Sequence, residues 1–196
     1  MRHGEEAMKK KIEEIENAVE AYKLDVEVYP DDYFALITCK EACKAVKEGN
    51  YGIGSLMVSP SGDILCTGHN QVFKPYFRSD LHAEMMVLNY FEDQYQDIND
   101  MSGYELYSSI EPCPMCVARL IANGVGTVKF VAPDVSGGMV QAMDKLPVSW
   151  INLSKRQSFL QAEASSYIQE LANEIFMFNL LGCREKLFSR QCAALG

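Results

Sequence analysis

The chain has 196 residues, 48% of them hydrophobic, which is enough apolar material to bury a core and excludes a largely disordered chain. Its formal net charge of −9 disfavours a protein that grips a long phosphate backbone, because that affinity comes largely from Lys and Arg, and favours a small-molecule substrate. No stretch of about 18 apolar residues reads as a membrane span, and the opening MRHGEEAMKKK lacks the apolar segment of an export signal, so a cytoplasmic protein with no membrane partner is expected.

In chain order, Met8, Ile12, Ile15, Val19 and Tyr22 recur at spacings of three and four, which predicts an amphipathic N-terminal helix within residues 1–29. Pro30 and Asp31 offer a capped start to a second helix, with Ala35, Leu36, Cys39, Ala42, Cys43 and Val46 as its stripe and Gly49 as its stop. Two extended runs, Gly54 to Ser59 and Asp63 to Thr67, flank Pro60-Ser61-Gly62 and predict a hairpin. Residues 81–92 read as a helix with His82 and Glu84 in its first turn. Tyr104 to Ile110 reads as a buried strand, Cys113 to Ala122 as a helix ended by Asn123-Gly124, and Thr127 to Ala132 as a further strand. That order implies a parallel β-α-β unit. Val148 to Leu153 is expected to form an edge strand. A long helix is expected from Gln161 to Leu181, with Ala164, Tyr167, Ile168, Leu171, Ile175 and Phe178 on one side. The fold expected is a three-layer α/β/α domain with a mixed sheet of about five strands, spanning residues 30–153. Residues 154–196 are expected to form a C-terminal helical segment packing on that domain or on a partner chain.

The chemistry concentrates in His82-Ala83-Glu84 and Pro112-Cys113-Pro114-Met115-Cys116, each at a predicted helix start beside a strand end. Free N–H groups and the positive dipole end of a helix lower the cost of keeping Cys113 and Cys116 as thiolates, the form that binds zinc. Seven cysteines including a C-x-x-C pair fit reduced thiols and metal ligands better than a disulfide framework. Two Cys and one His are three protein ligands, which leave a tetrahedral zinc one open position, whereas structural sites close the shell with four. A carboxylate two residues from the His can reach a water at that position, and Glu84 is so placed.

H-A-E followed by P-C-P-M-C resembles the signature of the cytidine deaminase superfamily, and the likeness covers roughly residues 30–150. T-G-H-N ahead of it and S-x-E-P-C-P-M-C look most like the branch of guanine deaminases, cytosine deaminases and tRNA adenosine deaminases. The resemblance implies Zn2+ held by His82, Cys113 and Cys116, with Glu84 shuttling protons from water to the ring nitrogen and the departing amine. It implies Asn70 and the Ala83 N–H as substrate contacts, and a homodimer. The reaction expected is deamination of a guanine- or cytosine-type base, nucleoside or nucleotide, with a tRNA adenosine-to-inosine deaminase as the alternative. This chain departs from the family's pattern at Gly52-Ile53-Gly54-Ser55, where Pro-Phe-Gly-Ala is common, and at Asp80, two rather than four residues before the His.

A C-x-x-C opening a helix also suits thiol redox chemistry or a structural zinc knuckle, though neither gives His82 and Glu84 a role. His69 reads as a surface or satisfied core residue, and Cys39, Cys43, Cys66, Cys183 and Cys192 as buried small hydrophobes. Tyr76, Phe77 and Arg78 read equally as a base-stacking group or a lid. Lys155, Arg156, Arg184, Lys186 and Arg190 read as scattered solvated charges, the commoner explanation, with a basic strip for RNA as the alternative.

Overall fold

Apolar residues at three- and four-residue spacing give α1 (Arg2–Ala21) a single buried face, made of Ile12, Ile15 and Val19. The structure is a computed structural model that describes the backbone of residues 2–192 and the side chains of residue 6 and residues 10–190. Met8 and Cys192 lie outside the described side chains. Next, α2 (Asp32–Glu48) buries Ala35, Leu36, Cys39, Ala42, Cys43 and Val46 and stops at Gly49, whose φ of 85° is the left-handed conformation that glycine adopts without strain. The cap expected at Asp31 is corrected: its side chain makes no cap hydrogen bond. Its carboxylate instead accepts from the Tyr107 hydroxyl at 2.6 Å, Lys129 Nζ at 2.8 Å and the Glu163 N–H at 2.7 Å, because a charged donor outcompetes a local amide. Neighbouring Asp32 accepts from the Ser165 N–H and the Tyr22 hydroxyl.

The hairpin forms as expected from β1 (Gly54–Val58) and β2 (Ile64–His69), paired antiparallel. After an irregular stretch comes α3 (Ala83–Gln94), then β3 (Glu105–Ile110), α4 (Pro114–Asn123) closed by Gly124, and β4 (Thr127–Ala132). β3 and β4 are parallel, which completes the expected β-α-β unit. The sheet has five strands in the order β2-β1-β3-β4-β5, antiparallel on its first two pairings and parallel on its last two. Alternation along the strands separates two cores. Met57, Leu106 and Val128 pack with residues of α3 and α4 on one face, while Leu56, Val58 and Tyr107 pack toward α2 on the other. The result is the expected three-layer α/β/α domain. A further cluster joins α1, α2 and the C-terminal helix.

Two expectations past β4 are overturned. Val148 to Leu153 is not an edge strand but part of α5 (Val148–Ser154), started by Pro147 and packed against α4. Seven residues are too few to show a helical period, and β-branched residues there mimic a strand. The edge strand is β5 (Ser158–Gln161), mostly exposed, with Phe159 half-buried. It lies within the segment expected to be helical from residue 154. The last helix, α6, runs Ser166–Cys192 and so passes Gly182 without stopping. Ile168, Leu171 and Ile175 are buried as expected, Tyr167 is exposed, and Ala164 lies ahead of the helix. Among the described residues, no helix is long and apolar enough to cross a membrane.

Candidate active site

Two helix starts meet at the strand ends. His82 stands at the N-cap position of α3 and Cys113 at that of α4, both with extended backbone, and Pro114 takes the first helical position, where its missing N–H costs nothing. Cys113 follows the C-terminal end of β3, next to its parallel partner β4, the edge at which α/β sheets place their sites. Cys113 Sγ lies 3.5 Å and Cys116 Sγ 3.6 Å from His82 Nδ1, and the three ligand atoms are mutually within 4.8 Å. A tetrahedral zinc with bonds of about 2.0 Å to nitrogen and 2.3 Å to sulfur needs S···N separations of about 3.5 Å. The donor set and its spacing therefore fit one zinc ion with one position left over.

Electrostatics agree with that use. The hydrogen bond from Cys116, together with His82, holds the Cys113 thiol down to about 4 despite burial, while the same bond and burial push Cys116 up. Glu84, 3% exposed, has its carboxyl raised by burial and by the Cys113 charge. It sits 3.3 Å from Cys116 Sγ and accepts from the Ser108 hydroxyl at 3.3 Å. A buried carboxyl held upward beside metal ligands is suited to carrying protons.

Asn70 is fully buried. Its N–H donates to Ile53 O at 2.9 Å and its Oδ1 accepts from the Val72 N–H at 3.1 Å, while Nδ2 has no partner among the described residues. Gln71 N–H donates to Leu81 O, which ties this stretch to the residue before His82. Ala83 is buried at the first helical position, where an N–H has no acceptor within the helix.

Sequence reasoning missed two residues. Ser108, behind Glu84, is a polar residue inside a buried strand, which was a usable signal. Glu111, 4% exposed, takes the N–H groups of Asp134 and Gln141 on its carboxylate and so folds the loop whose Met139 N–H reaches Pro112 O; nothing local in the sequence announces that loop.

His69 is satisfied between Glu41 and Glu48, 3.1 Å from each. Cys39, Cys43 and Cys183 are buried, and burial raises their thiols, that of Cys43 to about 12, with Cys66 raised to about 11. Phe77 packs on Phe73 and lies beneath the Arg190 guanidinium, Arg78 pairs with Asp80, and Tyr76 is exposed. The basic residues form no single strip: Arg156 binds Ile121 O at the end of α4, and Lys155 binds Asn152. Arg184, Lys186 and Arg190 sit on α6 against Ser136, Phe73 and Phe77.

Comparison with known proteins gives a match over residues 29–132 to the family described as the cytidine and deoxycytidylate deaminase zinc-binding region. The chain is 29% identical over 148 residues to a tRNA-specific adenosine deaminase of Aquifex aeolicus, covering 74% of this chain and 93% of that protein. It is 34% identical over 110 residues to a tRNA-specific adenosine deaminase of Bacillus subtilis, covering 55% and 65%. Among solved structures, a tRNA:A34 deaminase superposes with a TM-score of 0.59 at 20% identity, over 73% of this chain and 98% of that one. Guanine deaminase from Nitrosomonas europaea superposes at 0.57 and 20%, over 73% and 82%. The two superpositions bear on the fold.

Proposed function

Because this chain belongs to the cytidine and deoxycytidylate deaminase zinc-binding family, we propose that it is a zinc-dependent hydrolase that exchanges a nucleobase amine for a carbonyl oxygen and releases ammonia. The observation that carries the reading is the meeting of His82, Cys113, Cys116 and the buried Glu84 at two facing helix starts. In it, His82, Cys113 and Cys116 hold the zinc. When bound, the ion supplies the Lewis acidity that brings the pKa of a water toward neutrality. Glu84 takes a proton from the attacking water and returns protons to the ring nitrogen and the leaving amine, its carboxylate kept in place by Ser108. Asn70 donates its unpartnered amide to the base or sugar, and the Ala83 N–H serves the ring's polar edge.

Adenosine in tRNA is the better-supported substrate, because both sequence relatives described above are named as tRNA-specific adenosine deaminases and one is matched over 93% of its length. A free guanine- or cytosine-type base is the second reading, favoured by the net charge of −9, which opposes polyanion binding. A homodimer belongs to this reading, with the exposed Met177, Leu181 and Phe188 of α6 as apolar surface for a second copy, and sedimentation of the zinc-loaded chain tests it.

The deciding experiment offers zinc-quantified protein tRNA, guanine, cytosine, adenine and their nucleosides, and reads ammonia together with inosine in the recovered tRNA. Inosine formation, with tRNA binding that weakens steeply with salt, supports the first reading. Ammonia from free bases alone selects the second. Silence on every substrate by zinc-replete protein overturns deamination of these compounds.

A further inference from the structure

We propose that Asn50 is a positioning residue for the substrate side of the site, acting through the loop 70–74 on the amide of Asn70; this rests on the deaminase reading above. Asn50 is fully buried just past the end of α2. Its Oδ1 accepts two consecutive backbone donors, the Phe73 N–H at 2.8 Å and the Lys74 N–H at 3.1 Å. Those residues belong to the stretch between β2 and α3, where neither a helix nor a strand ladder is present to satisfy backbone groups. One residue earlier, the Val72 N–H holds Asn70 Oδ1. A shift at 73–74 is therefore passed through Val72 to the Asn70 side chain, whose Nδ2 is the atom left to meet a ligand.

Asn50 is held from the other side by α6. Asn179 Nδ2 donates to the main-chain O of Asn50, and further along the same helix the Lys186 ammonium and the Arg190 guanidinium lie over the rings of Phe73 and Phe77. The C-terminal helix thus braces Asn50, and Asn50 braces the loop. Asn50 Nδ2 is buried and has no partner among the described residues, so the acceptor oxygen is the half of the amide that this role uses. Because the bond acts on a binding contact rather than on proton transfer, its loss falls on KM.

The test uses the full zinc-loaded chain and its Asn50→Leu, Asn50→Asp and Asn179→Ala variants. Asn50→Leu raises KM roughly three- to tenfold, the worth of about one hydrogen bond, with kcat per bound zinc nearly unchanged. Asn50→Asp keeps an acceptor oxygen in either protonation state and restores KM to near the parent value. Asn179→Ala, which keeps the Asn50 side chain should Asn50→Leu fail to fold, shifts KM the same way by a smaller factor. Amide hydrogen exchange at Phe73 and Lys74 accelerates in Asn50→Leu and not in Asn50→Asp, a readout independent of the substrate's identity. An unchanged KM, a fall confined to kcat, an Asp variant as impaired as Leu, or unaltered exchange at Phe73 and Lys74 each overturns the proposal. A parent protein inert on every substrate would instead overturn the deaminase reading, and exchange would still decide whether Asn50 holds the loop.

Discussion

Changing the pH of a melting experiment probes the cluster around Glu41 of α2, which lies beside the strand that leads into Asn70. The Glu41 side chain is 8% exposed and accepts from Lys44 Nζ at 2.6 Å, Thr67 Oγ1 at 3.0 Å and His69 Nδ1 at 3.1 Å. Burial alone pushes its carboxyl up, but the bonds from His69 and Lys44 and the Lys44 charge prevail and bring it from 4.5 to about 2. His69 moves the other way, above 6.5, chiefly through Glu41. At about 1.4 kcal/mol per pH unit, the Glu41 displacement corresponds to about 3 kcal/mol. A carboxyl held below its ordinary value contributes stability that is present above 4.5 and lost as pH falls toward 2. An imidazole held above its ordinary value contributes stability that is complete below 6.5 and lost as pH rises through the raised value. The cluster is therefore worth most between those two values. For a chain of this size, about 3 kcal/mol is a melting shift of about 6–12 °C. Calorimetry of zinc-loaded parent and Glu41→Gln across acid and neutral pH reads it: the gap between the two proteins peaks in that window and closes toward strong acid. Acid loss of metal affects both proteins and drops out of the comparison. Melting curves that stay parallel from neutral to strongly acid pH would refute the reasoning.

Glu84→Gln keeps volume and zinc and lowers kcat by about a hundred- to ten-thousandfold, the usual worth of a placed acid-base group; ammonia release within tenfold of the parent would remove Glu84 from proton transfer. Cys113→Ala loses the metal itself, and elemental analysis showing one zinc per chain in the purified variant would show that the ligand is elsewhere. Gly54→Ala places a Cβ 2.2 Å from Thr38 O, 2.6 Å from Glu41 Cβ and 2.7 Å from Ala42 N, backbone and stem atoms of α2 that cannot swing aside, so it destabilises by about 2 kcal/mol or more. A melting temperature equal to the parent's would show that α2 lies on β1 less tightly than described.

What was legible in the sequence was local or motif-borne. Gly49 and Gly124 stop α2 and α4 where expected, because a left-handed C-cap is a property of one residue and its neighbours. The strand at 127–132 was legible in its β-branched and aromatic residues Thr127, Val128, Phe130 and Val131. The meeting of His82 with Cys113 and Cys116 was readable because both motifs sit at helix starts and the chemistry demands that they converge. Where tertiary contacts decide, the sequence was silent or misleading. Asp31 has the residue type of a helix cap but answers to Lys129 and Tyr107, distant in sequence. Ser158–Gln161 becomes a strand by edge pairing to β4, with only Phe159 packed inward, so it carries almost no apolar period. Gly182 does not break α6, since flanking contacts from Leu180 and Cys183 to the core keep the helix running. Asn50 is one more polar residue near a glycine until the loop that it holds is seen.

The adjoining carboxylates of Asp31 and Asp32 act as a knot between the two ends of the chain. Asp31 takes the Glu163 N–H and Asp32 the Ser165 N–H and the Tyr22 hydroxyl, so the exits of α1 and the entry to α6 are fastened to the same pair of residues that opens α2. Neither flanking helix is a detachable ornament. Trimming the chain back to residues 30–153 would strip β5 from the sheet, take from Asp32 both the Ser165 N–H and the Tyr22 hydroxyl, and leave Asp31 with Tyr107 and Lys129 alone, so a shortened version pursued for crystallisation or engineering should be cut outside α1 and α6 rather than at those bounds.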